Sequence, residues 1–378
     1  MDTRENIRLH EDPASLGLDG NILAEAPQLL EAGRDAGQHN GAQVVIARHG
    51  TVALEAAIGE AAPGRPLTPD SLLPWFSASK PVIAMAVAML YEQGKLGLDD
   101  PVRRYLPAFG NGKEACTLRH VLTHQGGFAG SVHHDKHLDW QGVLDAVCAH
   151  PAEYPPGEKA GYHPTSGWYV LAEVVQQIDG RPIAQFVAEE IFAPLDMTDS
   201  HLGLPPERRA ALGDRLAMVH QGASEREPFA SEAFITRFND PAAMAVVNPS
   251  GGVRGPAREL GRLYDCLLGG GAWNGRQLLQ PCTVELFTAC HRWGLPDMTL
   301  AGAPLAWGLG FCKHGNADIH RGYSRRVFNH SGMVSSVALG DPANGLSCVV
   351  ITTGLLDPLT NARRLREATG CAVRALLD

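Results

Sequence analysis

The sequence has 378 residues, of which 44% are hydrophobic and 19% charged, and its formal net charge is -9 at pH 7. A chain of this length and composition can bury a large core, and it carries no basic tract, so a disordered chain and a nucleic-acid-binding protein are both disfavoured. The first residues lack the apolar segment of an export signal and no run of about 18 apolar residues follows, so we expect a soluble cytoplasmic protein without membrane contact.

The first third of the chain predicts a helix, a hairpin and a buried helix, in that order. A helix is expected near residues 21–36. Residues 42–62 alternate around the His-Gly pair at 49–50, a pattern typical of two antiparallel strands. Residues 80–96 are apolar nearly all round and carry Pro81 in the first turn, where a missing N–H is harmless. We therefore expect this helix to lie inside the protein.

The rest of the chain changes from helical to strand patterns. Residues 116–250 hold helical segments joined by Pro- and Gly-rich loops, and no part of them predicts a strand. The least patterned stretch, residues 220–240, is expected to be a long loop near the cleft. Strand signals return in residues 307–314 and 335–354, where the turn DPANG splits two apolar runs, and a helix at 359–377 closes the chain.

This order of elements predicts the fold class. Strands at both ends with helices between them indicate a mixed α/β fold of the α+β type, in which an antiparallel β-sheet is flanked by helices. An all-helical domain is inserted into it. We expect residues 1–115 and 250–378 to form the α/β domain and residues 116–249 the helical domain. The active site is expected to lie between the two.

The segment WFSASKPV places Ser77 three residues before Lys80. Residues three apart share one face of a helix, so hydroxyl and amine can come within hydrogen-bond distance. Ser-x-x-Lys arises by chance about once in a chain of this size, but among the six lysines only Lys80 follows a serine at this spacing. A lysine packed on an apolar helix is desolvated, which favours its neutral form and lets it accept a proton from serine. Ser77 and Lys80 are therefore a candidate nucleophile and base.

Tyr162, in PPGEKAGYHPTSGW, is a second candidate. It follows a Pro-Gly turn and precedes a helix that Pro164 can start. A phenol at this place can relay protons, although a packed aromatic with a hydrogen-bonded hydroxyl is the more common role.

A third candidate is the segment FNHSGMVSSVAL, in which His330, Ser331 and Gly332 come just before a strand of edge character. Glycine there lets a substrate approach the backbone closely. A backbone N–H on this strand could join that of Ser77 as an oxyanion hole.

The order Ser-x-x-Lys, Tyr, His-x-Gly resembles the serine β-lactamase and penicillin-binding protein superfamily. The surrounding sequence is similar to the class C β-lactamase-like branch and closest in pattern to the family VIII carboxylesterases. The segments that carry the likeness are spread over residues 40–355 and read LTPDSLLPWFSASKPV, LRHVLTHQGGF, PPGEKAGY, IFAPLDMTDS, PSGGVRGPARELGRLYDCLLGGG and WGLGF.

The resemblance implies a β-lactamase/transpeptidase-like fold and a serine hydrolase that cleaves carboxylic esters of small molecules through an acyl-enzyme on Ser77. In such enzymes the lysine and tyrosine at the positions of Lys80 and Tyr162 form a shared proton-transfer pair, and which of them is the base stays open. No cofactor and no metal is implied, and the oligomeric state is open.

The resemblance also assigns roles to the strand near residue 330. His330, Ser331 and Gly332 match the family's Lys-Thr-Gly or His-x-Gly strand, which lines the cleft. The backbone N–H of Met333 would complete the oxyanion hole with that of Ser77.

Two departures from the family's pattern bear on the substrate. Where β-lactamases commonly have Tyr-x-Asn, residues 162–164 read Tyr-His-Pro, which removes an amide that would contact a β-lactam side chain. Lys-Thr-Gly is replaced by His-Ser-Gly at 330–332, which removes a fixed positive charge suited to a substrate carboxylate. Both favour an ester, or amide, substrate over a β-lactam. The alternatives are an acyltransferase, an amidase or D-aminopeptidase, a weak β-lactamase with the same site, and a non-catalytic binding relative.

Other kinds of site find less support in the sequence. An α/β-hydrolase needs a Gly-x-Ser-x-Gly elbow, which is absent. His133, Asp135 and His137 are spaced as metal ligands can be, but in a polar stretch such side chains are usually solvated, so no metal site is expected. The eight cysteines form no Cys-x-x-Cys pair. His124 is expected to hold a loop rather than to react.

Overall fold

The computed structural model describes residues 6–131 and 139–377. The histidine-rich segment with His133, Asp135 and His137 lies outside the described residues.

The strands, numbered in chain order, are β1 (Ile7–Leu9), β2 (Gly41–Arg48), β3 (Thr51–Ala62), β4 (Arg65–Pro66), β5 (Leu73–Pro74), β6 (His201–Leu202), β7 (His220–Gln221), β8 (Val253–Gly255), β9 (Ala272–Trp273), β10 (Arg276–Gln277), β11 (Phe328–Gly332), β12 (Ser336–Asp341), β13 (Leu346–Thr352) and β14 (Gly354–Leu355).

The α-helices are α1 (Gly20–Leu23), α2 (Glu25–Asp35), α3 (Lys80–Glu92), α4 (Leu118–Leu122), α5 (Trp140–Ala149), α6 (Ser166–Asp179), α7 (Ile183–Val187), α8 (Pro206–Leu212), α9 (Glu232–Thr236), α10 (Pro241–Ala245), α11 (Ala257–Leu268), α12 (Pro281–Thr288) and α13 (Pro358–Arg374). None of the helices in the described ranges combines the length and the apolar character that crossing a bilayer requires.

An antiparallel sheet joins the two ends of the chain. Its order is β1-β3-β2-β13-β12-β11, with β4 paired to β3. β2 and β3 form the hairpin predicted around residues 49–50, and β12 and β13 form the hairpin predicted around DPANG. The two hairpins meet where β13 pairs with β2. This pairing confirms the predicted sheet from both termini. His330–Gly332 themselves lie in the last strand of the sheet, β11, whereas the strand that follows them, expected to have edge character, is β12 and pairs on both sides.

Helices cover both faces of this sheet. Helix α11 packs on β13, β12 and β2, while α2 and α13 pack together against the other side. Alternate residues of β13 enter two different cores: Val349 and Ile351 lie in the core that holds α11, and Cys348 and Val350 lie in the core that holds α13. Because both faces are covered, these strands are apolar at nearly every position and not only at every second one.

Helix α3 carries the Ser-x-x-Lys pair into the protein. Its residues from Lys80 to Leu90 are all buried, as the composition predicts, and it packs against α6, α7 and α12. A 3₁₀ turn over Phe76–Ser79 leads directly into it. Between residues 71 and 90 Ser77 is the one residue with a partly exposed surface. The packing therefore fixes the serine in place while its side chain can still be reached.

A small three-stranded sheet, β5-β8-β6, fixes the approach to Ser77. The Trp75 backbone N–H donates to the Val253 carbonyl at 3.0 Å, and its indole N–H donates to the Gly255 carbonyl at 2.9 Å. The segment that precedes the serine is thus anchored to residues nearly 180 positions away in the chain.

The middle and late segments differ from the prediction in three places. β6 and β7, of two residues each, lie within 116–249 and pair with β8 and β14, although no strand was expected there. Residues 307–314 make isolated bridges and not a strand. Residues 220–240, expected to be a loop, include α9 and a 3₁₀ turn. Whether such a short strand forms depends on pairing with a distant segment, and the local sequence pattern does not reveal that pairing. The domain boundaries at 115/116 and 249/250 stay a prediction.

Candidate active site

The Ser77 and Lys80 side chains are in direct contact. Lys80 Nζ lies 2.8 Å from Ser77 Oγ, 2.9 Å from the Pro164 carbonyl oxygen and 2.7 Å from the Ser250 carbonyl oxygen. Lys80 is fully buried, and this burial lowers its pKa well below the usual range. In the described residues no carboxylate makes an ion pair with it. The amine is therefore held in its neutral form more readily than an exposed lysine would be.

The contacts of Lys80 define how a neutral amine is oriented there. A neutral amine has two N–H groups and one lone pair, and the carbonyl oxygens of Pro164 and Ser250 can only accept. The two N–H groups are therefore used by the carbonyls. The lone pair is left for the third neighbour, the hydroxyl of Ser77, which can donate.

Tyr162 lies beside the Ser77–Lys80 pair. Lys80 Nζ lies 5.4 Å from the centre of its ring. Burial raises the pKa of Tyr162 above its usual value, and the nearby Ser77 side chain opposes this shift only in part. The phenol is therefore protonated at neutral pH. Helix α6 begins at Ser166 and not at Pro164, so Pro164 stays in the loop, where its carbonyl contacts Lys80.

A buried ion pair holds the loop that carries Tyr162. Asp297 Oδ1 accepts the backbone N–H of Tyr162 at 2.9 Å and the hydroxyl of Thr299 at 2.8 Å. Asp297 Oδ2 lies 3.3 Å from Arg292 Nη2, and both side chains are almost completely buried. Arg292 Nη1 also donates to the Thr123 carbonyl at 2.9 Å. The Arg292–Asp297 pair thus connects its own segment to the loop that contains Tyr162 and to the loop that contains Thr123.

His330 faces the site from strand β11. Its Nδ1 lies 2.8 Å from the Ser331 carbonyl oxygen, so Nδ1 carries the proton, and Nε2 has no partner within the described residues. The ring lies 6.3 Å from that of Tyr162 and 5.6 Å from that of Trp307. Burial, and then the nearby Lys80, lower the pKa of His330 to about 3. It is therefore neutral at neutral pH and offers the site no positive charge.

Ser331 and Gly332 occupy different positions relative to Ser77. Ser331 Oγ accepts from Asn316 Nδ2 at 2.9 Å, and the same Asn316 amide bonds Asn329, so Ser331 lies on the strand face opposite His330. Its side chain is thus not brought together with Ser77. Gly332 lies against the nucleophile segment: a Cβ at this position would overlap the carbonyl oxygen of Trp75.

The backbone around Ser77 and Met333 is held in uncommon conformations. Ser77 is the second residue of a 3₁₀ turn whose first bond runs from the Ala78 N–H to the Trp75 carbonyl, so the Ser77 N–H has no acceptor within that turn. Phe76, just before it, has φ +49°, and Met333 has φ +21°. Left-handed conformations of this kind in non-glycine residues concentrate at functional sites.

His124 holds a loop, as expected from the sequence. Its Nδ1 accepts the backbone N–H of His163 at 3.1 Å, and its ring packs 4.6 Å from Tyr162 and 4.4 Å from Trp307. Burial, and then His163, lower the pKa of His124 well below its usual value. The ring therefore acts as a neutral part of the wall behind Tyr162.

Several groups that complete this arrangement could not be anticipated from the amino-acid sequence. The carbonyls of Pro164 and Ser250 fix Lys80, but a backbone carbonyl leaves no trace in residue type. Arg292 and Asp297 are ordinary charged residues in a segment without pattern, and their pairing became visible only in the folded chain. Trp307 belongs to WGLGF, one of the segments that carry the family resemblance, and its role as a wall between His124 and His330 could have been suspected there.

The fold and the grouping of serine, lysine and tyrosine are those of the serine β-lactamase and penicillin-binding protein class. The chain belongs to the β-lactamase family, whose sequence pattern matches residues 26–370. It is 29% identical over 318 residues to the esterase/β-lactamase LipL of Mycobacterium tuberculosis, an alignment that covers 78% of this chain and 72% of LipL.

Solved structures agree with this assignment. A penicillin-binding protein homolog from Caulobacter crescentus superimposes with a TM-score of 0.78 at 28% identity and covers 94% of this chain and 99% of its own. A family VIII carboxylesterase superimposes with a TM-score of 0.80 at 22% identity and covers 98% of this chain and 100% of its own. The second likeness concerns the fold alone. Together they confirm the predicted β-lactamase/transpeptidase-like fold.

Proposed function

We propose that this protein is a serine hydrolase that cleaves carboxylic esters of small molecules through an acyl-enzyme on Ser77. The observation that carries the proposal is the buried Lys80 amine 2.8 Å from a partly exposed serine hydroxyl. The esterase activity named for LipL supports the choice of an ester as substrate. The reacting groups come from the first, middle and last parts of the chain, which supports a cleft between the two domains that we predict.

In the acylation step Ser77 Oγ attacks the ester carbonyl carbon while its proton passes to the lone pair of Lys80. The C–O bond to the alcohol then breaks, and the alcohol oxygen takes a proton from Lys80, directly or through the phenol of Tyr162. Tyr162 suits this relay because it lies beside Ser77 and Lys80 and its raised pKa keeps it protonated. Lys80 is thus the acceptor that the contacts favour, and the amine is neutral again when the acyl-enzyme has formed.

Developing negative charge on the carbonyl oxygen needs hydrogen-bond donors in fixed positions. We assign this role to the backbone N–H groups of Ser77 and Met333, which come from two segments held together at Trp75 and Gly332. Water then attacks the acyl carbon, and Ser77 recovers its proton as the carboxylic acid leaves.

The charges around the site favour an uncharged ester. Lys80 has its three contacts used within the protein, Arg292 is paired with Asp297, and His330 is neutral. A substrate carboxylate would find no free cation among these groups. We therefore expect low activity on β-lactams, whose carboxylate is commonly bound by a fixed positive charge.

The test is a burst assay with p-nitrophenyl acetate, p-nitrophenyl butyrate and nitrocefin, followed by intact mass spectrometry of the protein. We expect ester turnover, little nitrocefin cleavage, and a mass increase of one acyl group that maps to Ser77. Ser77→Ala should lower kcat by about 10⁴-fold or more. Tyr162→Phe should lower it by about 10²- to 10³-fold, since a proton relay is lost, and His330→Ala should have a milder effect.

Ser15→Ala, an equivalent change on the surface, is the matched control and should leave both turnover and adduct formation unchanged. Ester turnover that survives in Ser77→Ala would refute the proposed mechanism. Absence of turnover and of adduct in the wild-type protein would instead favour an acyltransferase specific for another donor, or a non-catalytic relative.

A further inference from the structure

The turn that follows β11 has a conformation its residues do not favour. The Ser335 N–H donates to the Gly332 carbonyl at 2.9 Å and closes the turn, and the two residues inside it, Met333 and Val334, have φ of +21° and +46°. Asn and Gly are the usual residues in turns with positive φ, and for a β-branched residue such as Val334 the conformation is a genuine outlier. Some other part of the structure must therefore hold this turn.

Arg364, on helix α13, provides contacts that can do so. Its Nη2 donates to the Val334 carbonyl at 3.3 Å, the Gly354 carbonyl at 3.1 Å and Asn361 Oδ1 at 2.9 Å. Its Nη1 donates to the Gln38 carbonyl at 3.2 Å. One guanidinium thus joins the turn to three segments of the α/β part of the protein.

Burying the Arg364 guanidinium costs desolvation free energy, so a specific interaction must compensate for it. The residue is 7% exposed, and in the described part of the chain no carboxylate lies at ion-pair distance from it. Burial lowers the pKa of Arg364 to about 9, and attraction to Asp318 opposes this shift only in part. A buried cation is normally paired with an anion, but here the partners are mainly carbonyl oxygens. An apolar side chain would pack against the sheet equally well, so packing alone does not explain an arginine at this position.

We propose that Arg364 is a positioning residue that holds the Met333 N–H in the geometry of an oxyanion donor by fixing the carbonyl of Val334. The proposal rests on the proposed function, since it takes Met333 as the second donor of the oxyanion hole. The Met333 N–H lies in the peptide plane that joins β11 to the turn, so relaxation of the turn to negative φ would be accompanied by rotation of that plane. The bond of Arg364 to the Val334 carbonyl opposes this relaxation and so holds the N–H in place.

The experiment uses Arg364→Met, which keeps much of the volume and removes the donors, and Arg364→Lys, which keeps the charge but cannot reach several acceptors at once. Arg363→Met is the matched control, because Arg363 is exposed on the same helix and pairs with Glu225. We measure kcat and KM for p-nitrophenyl butyrate, the inhibition constant of phenylboronic acid, and the thermal midpoint. A boronic acid forms a tetrahedral adduct on serine and so reports on the oxyanion hole.

Loss of one oxyanion donor lowers kcat by about 10²- to 10³-fold. Since Arg364 acts through that donor, we expect its variants to lower kcat by about 10- to 100-fold, with KM changed less than about threefold and boronate inhibition weakened in parallel. Val334→Gly, which removes the conformational strain, should restore part of kcat in the Arg364→Met background.

Wild-type kcat in either folded Arg364 variant would overturn the proposal. So would a loss of kcat that follows the thermal midpoint alone and is not restored by Val334→Gly, since that result indicates general destabilisation. If Arg364→Met does not fold, Arg364→Lys is judged by the same criteria. The proposed function is tested separately by turnover and the Ser77 adduct in the wild-type protein, so the two failures are distinguishable.

Discussion

Gly332→Ala is expected to separate the end of β11 from the nucleophile segment. A Cβ at position 332 would overlap the Trp75 carbonyl oxygen and Ser336 Oγ, and it would lie 3.1 Å from Phe76 Cβ. The Trp75 carbonyl cannot retreat freely, because it accepts the Ser336 hydroxyl at 2.9 Å and its residue is anchored to β8. Removing the overlap therefore requires the two segments to move apart by roughly 1 Å, and a displacement of about 1 Å at a catalytic site can cost 10²-fold in rate.

The assay compares kcat and KM for p-nitrophenyl butyrate with the free energy of unfolding in urea. We expect kcat to fall by about 10²-fold and the free energy of unfolding to fall by about 1–3 kcal/mol, as for other overpacked positions. Gly261→Ala on α11 is the control, since a Cβ there would meet its nearest neighbours at 3.9 Å and is accommodated. Wild-type kcat in Gly332→Ala would refute the reasoning that the close approach of β11 to Trp75 sets the oxyanion geometry.

Two further predictions concern pH. The first is measured as kcat/KM for p-nitrophenyl butyrate from about pH 5 to 9. We expect kcat/KM to fall toward acid, because a protonated Lys80 cannot accept a proton, and not to fall toward pH 9, because the raised pKa of Tyr162 keeps the phenol protonated. A kcat/KM that rises toward acid would contradict a neutral Lys80. Burial lowers the pKa of His163 from 6.5 to about 3, so the unfolded chain binds a proton that the folded protein does not, and stability is lost as pH falls from 6.5 toward 3. At pH 5 this loss is about 2 kcal/mol. His163→Gln should therefore show a smaller decrease in free energy of unfolding between pH 7 and pH 5, by about 2 kcal/mol, as measured by urea denaturation. An unchanged decrease would contradict the assignment of His163 as a buried neutral ring.

Long elements with a consistent pattern were predictable, whereas short ones were not. The β2–β3 and β12–β13 hairpins, helix α3 and helix α13 follow from runs of residues whose spacing matches one element. β6 and β7 have two residues each and exist because β8 and β14 lie beside them. The strand expected at residues 307–314 does not form, for the same reason. An apolar, glycine-rich segment forms isolated bridges or a strand depending on which segments lie beside it.

The amino-acid sequence by itself determined the two hairpins, the apolar helix that carries Ser77 and Lys80, and the family to which the chain belongs, because each of these is encoded in residue types at fixed spacing. Only the tertiary structure decided how Lys80 is oriented, since the carbonyls of Pro164 and Ser250 come from segments 84 and 170 residues away. It likewise decided that the Ser331 side chain lies on the strand face opposite His330 and that Arg364 reaches the turn after β11. These are properties of backbone groups and of distant contacts, and residue type along the chain does not record them.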